Sequence, residues 1–185
     1  MRVLYGRYYG MRYRAVAMAV LRDETVLELC CGPGLLYLRA LRDRASSYIG
    51  LDANAGFVAG LRAQGVDARV ADVETAELPR ADVVVMQASL YHFLPEERAL
   101  AMIERMRTAA RSHVIISEPV QNLASSRIPL VARLAARGTA TADGEQARRF
   151  DEASLQALVE RLGPDVLLTS KRFGRDQVCL LRGTA

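Results

Sequence analysis

The sequence contains no tryptophan, three cysteines, two histidines and a single lysine, Lys171, among its 25 basic residues. Three cysteines, two of them adjacent at Cys30 and Cys31, offer no framework of disulfides, so the sequence predicts a reducing compartment, by default the cytoplasm. No apolar run approaches the roughly 20 residues that a membrane-spanning helix needs. The run Ala15–Leu21 has arginines on its flanks like a short signal peptide, but no small-residue cleavage site follows, which argues against export.

The composition is that of an ordinary globular chain, with 185 residues of which 51% are apolar and 25% charged. This length predicts one domain over residues 1–185, with an N-terminal helical cover at 1–22 and a lid or acceptor-site insertion at 120–150. The net charge is +4, and the arginines are scattered rather than clustered. Scattered arginines are typical of solvated helix faces, so no nucleic-acid partner is expected.

Short apolar runs alternate with helical patterns along the chain, which predicts a parallel sheet with helices on both faces. The predicted strands are Thr25–Cys30, Tyr48–Asp52, Asp67–Ala71, Asp82–Gln87 and His113–Ser117. The predicted helices are Gly34–Leu41, Ala53–Gln64, Pro95–Ala110 and Asp151–Leu162, with Pro95 as the first residue of its helix. The runs "DVLLTS" and "QVCLLR" near the C terminus are separated by only six residues, so they should pair antiparallel.

The segment "LELCCGPG" at residues 27–34 predicts a nucleotide-binding turn, for which a dinucleotide and S-adenosylmethionine compete. A dinucleotide fingerprint requires a third glycine where this chain has Tyr37. Glu28 would repel a pyrophosphate and attract an ammonium or sulfonium, by about 4 kcal/mol for unit charges at 4 Å. The alternative is that Glu28 is a paired strand residue without a ligand, although an unpaired buried carboxylate is costly.

Two further acids end the next two predicted strands. Asp52 follows Gly32 by 20 residues and is placed to accept ribose hydroxyls, a feature that also fits NAD. Asp72 is placed to accept the adenine amino group, with the Val73 amide facing a ring nitrogen. Alternatively, Asp72 is a helix cap. The three acids in register after three strands favour the first interpretation.

These segments resemble the class I S-adenosylmethionine-dependent methyltransferases, in particular the small-molecule, ubiquinone-type branch. The matching motifs are "VLELCCGPG", "YIGLDAN", "ADVETAELP" and "ADVVVMQASLYHF", and "YGRYYGMRYR" is similar to the helix that precedes the core of that family. The departure is Pro33-Gly34-Leu35, where many members carry a third glycine. The resemblance implies a Rossmann-like doubly wound α/β sheet of seven mostly parallel strands that ends in an antiparallel hairpin. It also implies a cofactor site formed by Tyr9, Glu28, Leu29, Cys30, Gly32, Gly34, Asp52, Ala53, Asp72, Val73 and Gln87.

The acceptor of the methyl group is expected to be a small organic molecule, because the motifs of nucleic-acid and arginine methyltransferases are absent from "QASLYHF". His92 is the candidate general base or orienting group, with Tyr91 as an apolar wall and Arg149 binding an anionic or aromatic acceptor. The alternative for His92 is a hydrogen-bonded loop residue. Cys30, Cys31 and Cys179 are interpreted as packing residues.

Other interpretations of the chain stay open at this point. A non-catalytic S-adenosylmethionine-binding partner would fill the acceptor cavity with side chains from 120–150. A short-chain oxidoreductase is disfavoured by Glu28 and by the missing third glycine. A basic surface within 121–150 would allow peripheral contact with lipid headgroups, which is not the favoured interpretation. No metal site is predicted, and the sequence sets no expectation for the oligomeric state.

Overall fold

The computed structural model describes residues 9–121 and 149–184. Its helices are α1 (Tyr9–Ala19), α2 (Ala55–Arg62), α3 (Glu96–Ala109) and α4 (Glu152–Glu160). Its strands are β1 (Thr25–Leu29), β2 (Ser47–Asp52), β3 (Ala68–Val70), β4 (Ala81–Gln87), β5 (Ala110–Pro119), β6 (Leu167–Phe173) and β7 (Asp176–Arg182). Most of the predicted lid at 120–150, namely residues 122–148, lies outside the described part of the chain.

The strands form one seven-stranded sheet in the order β3-β2-β1-β4-β5-β7-β6. The five strands from β3 to β5 pair parallel, whereas β7 pairs antiparallel with both β5 and β6. The predicted mostly parallel sheet with a terminal antiparallel hairpin is therefore confirmed. The chain crosses from β3 over β1 to β4, which makes the carboxyl ends of β1 and β4 the switch point where open α/β sheets bind ligands.

The sheet is covered on both faces, which explains why its central strands are continuously apolar. One face packs against α3 and α4 through a core that includes Leu27, Met86, Ile103, Ile116 and Leu155. The other face packs against α1 and α2 through a core that includes Val16, Val26, Val58, Val85 and Ile115. Glu28 alternates with Leu27 and Leu29 along β1 and therefore lies on the α1 face.

Helix boundaries differ from the predicted ones in several places. Pro95 is the N-cap of α3 rather than its first residue, because its ψ of 174° is extended, and the helix begins at Glu96. The segment predicted as a helix at Gly34–Leu41 ends in a π-helical turn, Tyr37–Leu41, in which the Arg42 amide donates to the Tyr37 carbonyl. Asp151 was predicted as the start of α4 and instead caps it, accepting a hydrogen bond from the Ser154 amide.

Helix α1 is fastened across the sheet to the C-terminal hairpin. The Arg12 guanidinium donates from Nε and Nη2 to the two carboxylate oxygens of Asp176, at 2.9 and 2.6 Å. Both side chains are nearly buried, with 11% and 6% of their surfaces exposed. This two-pronged geometry is the most directional form of ion pair, so it fixes α1 above the ends of β1 and β4. Within the described residues, no helix is long and apolar enough to cross a bilayer.

Candidate cofactor and acceptor site

The turn after β1 is built on residues with left-handed backbone. Cys30, Gly32 and Gly34 have φ angles of 53°, 53° and 65°. A Cβ atom on Gly34 would collide with the Leu61 side chain of α2, so glycine is needed there for close packing of the turn. A Cβ on Gly32 would meet nothing within 4 Å. Gly32 therefore presents its backbone to open space, as a turn that receives a ligand must.

Asp52 binds this turn directly from the end of β2. One carboxylate oxygen accepts the Gly32 amide at 2.7 Å, and the other accepts the Asn54 amide at 2.8 Å. Each carboxylate oxygen has a second lone pair, so Asp52 can still accept two hydroxyl groups. The neighbouring Ala53 is exposed, while Leu29 at the end of β1 is fully buried and can face a ligand only through its backbone.

Asp72 organises the loop after β3. Its carboxylate accepts the Glu74 amide at 2.9 Å, and its carbonyl accepts the Ala76 amide at 2.8 Å. Arg105 of α3 donates to the carbonyls of Val73 and Ala76, which holds the loop against the helix. Asp72 is thus a turn residue whose exposed carboxylate faces outward, and its contact with adenine stays a prediction.

Glu28 lies at the floor of a cavity of about 150 Å³ beneath α1. Only 4% of its surface is exposed, and it accepts a hydrogen bond from the Tyr48 hydroxyl at 2.6 Å. Burial raises the pKa of Glu28 to about 8, although the Tyr48 hydrogen bond acts in the opposite direction. Glu28 is therefore largely neutral at pH 7 until a cation compensates its charge, rather than the permanent carboxylate that the sequence predicted.

Gln87, at the end of β4, lines the same cavity. Both atoms of its side-chain amide are buried and have no hydrogen-bond partner within the described part of the chain. Buried amides are almost always hydrogen-bonded in folded proteins, so an amide of this kind indicates a ligand. Arg12 of α1 also lines the cavity, a role that no local sequence pattern indicates because it depends on the docking of α1. Tyr9 is the first residue of α1, and its contact with a cofactor stays a prediction.

Glu118, at the end of β5, is a site residue that the sequence analysis missed. It is 1% exposed, and one carboxylate oxygen accepts the Ser89 and Leu90 amides, both at 2.7 Å. Burial raises its pKa to about 7, against the lowering effect of those amides and of Arg12 and Arg149. Glu118 fixes the loop after β4, and the signal that could have identified it is an acid two residues after the apolar run "VII".

The three predicted acceptor residues lie together, with Tyr91 and His92 on this loop and Arg149 in the segment before α4. The Tyr91 and His92 rings are 4.0 Å apart, and the Arg149 guanidinium lies 4.2 Å from the centre of the Tyr91 ring. Arg149 also donates to the Tyr91 hydroxyl at 3.4 Å and has no ion pair with any described residue. Partial burial, and then the charge of Arg149, lower the pKa of His92, so its imidazole is neutral at pH 7.

The cysteines do not have the properties of nucleophiles. Burial is the main cause that raises the pKa of Cys30 and Cys31 to about 12 each, and burial also raises that of Cys179. A thiol with such a pKa is not ionised at neutral pH, and the thiolate is the reactive form. All three cysteines are free. The described residues contain no cluster of three or more His, Cys, Asp or Glu side chains that would hold a metal.

Comparison with known proteins agrees with this geometry. Residues 26–113 match a family model described as a methyltransferase domain. Over 98 residues, the chain is 39% identical to a trans-aconitate 2-methyltransferase from Mycolicibacterium gilvum, a match that covers 51% of this chain and 36% of that protein. The chain thus spans about a third of the length of this curated relative.

Solved structures share the fold along almost the whole chain. The magnesium protoporphyrin IX methyltransferase of Synechocystis PCC 6803 with bound S-adenosylhomocysteine has a TM-score of 0.69 at 18% identity, covering 99% of this chain and 92% of that one. Human N-acetylserotonin methyltransferase in complex with S-adenosylmethionine has a TM-score of 0.68 at 16% identity, covering 99% and 53%. Residues 26–113 thus match a methyltransferase domain, and the strand order is that of the fold shared with solved S-adenosylmethionine-dependent methyltransferases.

Proposed function

We propose that this chain is an S-adenosylmethionine-dependent methyltransferase that acts on a small organic acceptor. The observation that carries the proposal is the buried Glu28 at the floor of the cavity beside the glycine turn. A dinucleotide would bring negative phosphates to this acid, whereas S-adenosylmethionine brings an ammonium and a sulfonium. The unpartnered Gln87 amide in the same cavity supports a polar ligand there.

The cofactor would contact the described residues at three places. Glu28, Gln87 and Arg12 line the cavity that would receive the charged amino-acid end. Asp52 would accept the ribose hydroxyls. Its hydrogen bond to the Gly32 amide supports this role, because it places the carboxylate beside the glycine turn. The loop at Asp72 would receive the adenine. The predicted contributions of Leu29, Cys30, Gly34, Ala53 and Val73 belong to the same proposal and would come from backbone groups that border these places.

When bound, the sulfonium supplies an activated methyl group, so the protein mainly has to align the acceptor and exclude water. The Arg149 guanidinium, which lies over the Tyr91 ring and forms no ion pair with a described residue, favours an anionic acceptor. The curated relative is named for trans-aconitate, a carboxylate, which agrees with this choice. His92, with its neutral imidazole, can take a proton from the acceptor at its unprotonated ring nitrogen if the acceptor must lose one.

The proposal includes a location and a mode of action. A cytoplasmic location is supported by the three free thiols. Catalysis, rather than a role as a non-catalytic cofactor-binding partner, is supported by the names of the relatives, all of which are methyltransferases where an activity is named. The predicted marker of the non-catalytic alternative, side chains from 120–150 filling the acceptor cavity, falls largely outside the described residues.

Titration calorimetry tests the proposed function. We expect S-adenosylhomocysteine to bind the chain with a micromolar or lower Kd, about 8 kcal/mol of binding free energy, and NAD to give no heat of binding. Binding of NAD without binding of S-adenosylhomocysteine would overturn the proposal. Turnover is then sought by incubating the chain with a labelled cofactor and a panel of small carboxylates.

Replacing Arg149 by alanine is expected to raise the KM for an anionic acceptor about tenfold, because a charge-assisted hydrogen bond contributes about 1.5 kcal/mol or more. The Kd of S-adenosylhomocysteine should stay unchanged. Arg161→Ala is the matched control, since Arg161 pairs with Glu96 on an exposed surface. Equal KM values for the two variants would contradict a role for Arg149 in acceptor binding.

A further inference from the structure

Tyr48 of β2 is a hydrogen-bond partner of Glu28. Its hydroxyl donates to Glu28 Oε2 at 2.6 Å, and the tyrosine is 6% exposed. The register of the sheet places Tyr48 opposite Val26 and Gly50 opposite Glu28. The Tyr48 side chain therefore extends over Gly50, two residues further along its own strand, to reach the acid on β1.

Gly50 provides the space that this contact requires. A Cβ atom at this position would lie 3.0 Å from the Tyr48 hydroxyl oxygen and 2.8 Å from the sulfur of Cys31. Any side chain there would displace one of the two groups. On its other side the Tyr48 ring stacks on Tyr37, with ring centres 4.3 Å apart and planes at 24°. The tyrosine is thus held from two directions with its hydroxyl aimed at Glu28.

We propose that Tyr48 is a positioning residue for Glu28, which makes binding of the cationic cofactor proton-linked through this buried acid. The inference rests on the proposed function, since it needs a cationic ligand in the cavity. Glu28 in its neutral form has lost the charge that attracts the ligand. Binding therefore selects the carboxylate and releases one proton to solvent. The Tyr48 hydroxyl favours the same ionised form, because it donates to it.

The other described titratable and charged groups around Glu28 include Asp52, Cys30, Cys31, Arg12 and Tyr13. Asp52 of β2 raises its pKa, as a like charge must. Cys31 of the glycine turn is a neutral thiol at pH 7, and Arg12 and Tyr13 of α1 line the cavity opposite. Burial is the main cause of the raised pKa, and Tyr48 is the hydrogen-bond partner that opposes it.

The experiment compares Tyr48→Phe with the wild-type chain across pH. Losing a hydrogen bond to an ionised group should raise the pKa of Glu28 by about one unit. The Kd of S-adenosylmethionine should then rise about tenfold at pH 7 but less than about twofold at pH 9, where Glu28 is mostly ionised in the wild-type chain and about half ionised in the variant. The cofactor's own amino group also titrates in this range, but it cancels in the ratio of the two Kd values.

Three controls separate positioning from mere packing. Tyr37→Phe removes a hydroxyl from the same stacked pair and should leave the Kd unchanged at both pH values. In a Glu28→Gln background, Tyr48→Phe should change the Kd less than about twofold, as a double-mutant cycle requires. Calorimetry of the wild-type chain at pH 7 in phosphate and in Tris should show release of about one proton per cofactor bound.

The outcomes distinguish this inference from the proposed function. A Tyr48→Phe ratio that is the same at pH 7 and pH 9, or binding without proton release, overturns the inference while the methyltransferase proposal stands. Failure of both S-adenosylmethionine and S-adenosylhomocysteine to bind the wild-type chain at any pH overturns the two together. A ratio that falls toward one as the pH rises supports both.

Discussion

Replacing Asp52 by alanine is expected to weaken the binding of S-adenosylhomocysteine by about two orders of magnitude. The substitution removes the proposed acceptor for the ribose hydroxyls and also the partner of the Gly32 amide, which is bonded at 2.7 Å. Each hydrogen bond to a charged group contributes about 1.5–3 kcal/mol. Losing the two hydrogen bonds from the ribose hydroxyls therefore raises the Kd at least about a hundredfold. Titration calorimetry on the folded variant measures the change.

Asp67→Ala is the matched control for this prediction. Asp67 follows β2 and α2 in the same part of the chain, and its carboxylate pairs with Arg69 while half of its side-chain surface is exposed. Removing an exposed pair of this kind should change neither the free energy of cofactor binding nor the free energy of unfolding by more than about 1 kcal/mol. Similar Kd values for Asp52→Ala and the wild-type chain would show that Asp52 serves the fold alone.

Glu28→Gln is expected to stabilise the ligand-free protein, and more so as the pH rises. The pKa of Glu28 is about 8 in the folded chain, against an ordinary value of 4.5. A raised pKa means that the folded state binds the proton more tightly, so the stabilisation is complete below pH 4.5 and is lost as the pH rises toward 8. Glutamine has nearly the shape of the protonated acid and cannot ionise, so it avoids this loss.

The size of the effect follows from the linkage relation. Between pH 5 and pH 8, the free energy of unfolding of the wild-type chain should fall by about 3 kcal/mol relative to Glu28→Gln. Urea unfolding at the two pH values measures this difference, with the pH dependence of the other groups common to both proteins. A constant difference across pH would show that Glu28 is ionised in the ligand-free state. The same substitution should weaken cofactor binding, which is the usual conflict between stability and function at a binding site.

The sequence was sufficient for those parts of the fold that depend on local pattern. Apolar runs alternating with helical segments predicted the parallel strands, and the six-residue gap before "QVCLLR" predicted the final antiparallel pair. Asp52 and Gly32 were each predicted as cofactor-binding residues, and the structure shows in addition that they are directly bonded to each other. The boundary at Pro95 was wrong by one residue, because the cap is set by a backbone angle and not by residue type alone.

Other parts of the site depend on contacts between distant residues. Tyr48 reaches Glu28 only because Gly50 lacks a side chain and because the register of β1 and β2 places Gly50 opposite Glu28. Glu118 meets the loop after β4 across a separation of 28 and 29 residues, and Arg12 meets Asp176 across 164. The ionisation of Glu28 also depends on how completely the fold buries it, so the sequence indicated its charge but not its pKa.

The pairing of Arg12 with Asp176 has a consequence for biosynthesis. The roof of the cavity comes from α1, which is synthesised before every strand of the sheet, while the carboxylate that fixes it belongs to β7. A nascent chain that already contains β1 to β5 therefore has its glycine turn and Asp52 but cannot yet hold α1 in place through Asp176. Competence to retain the cofactor should arise only after the hairpin has emerged from the ribosome and closed the polypeptide on itself.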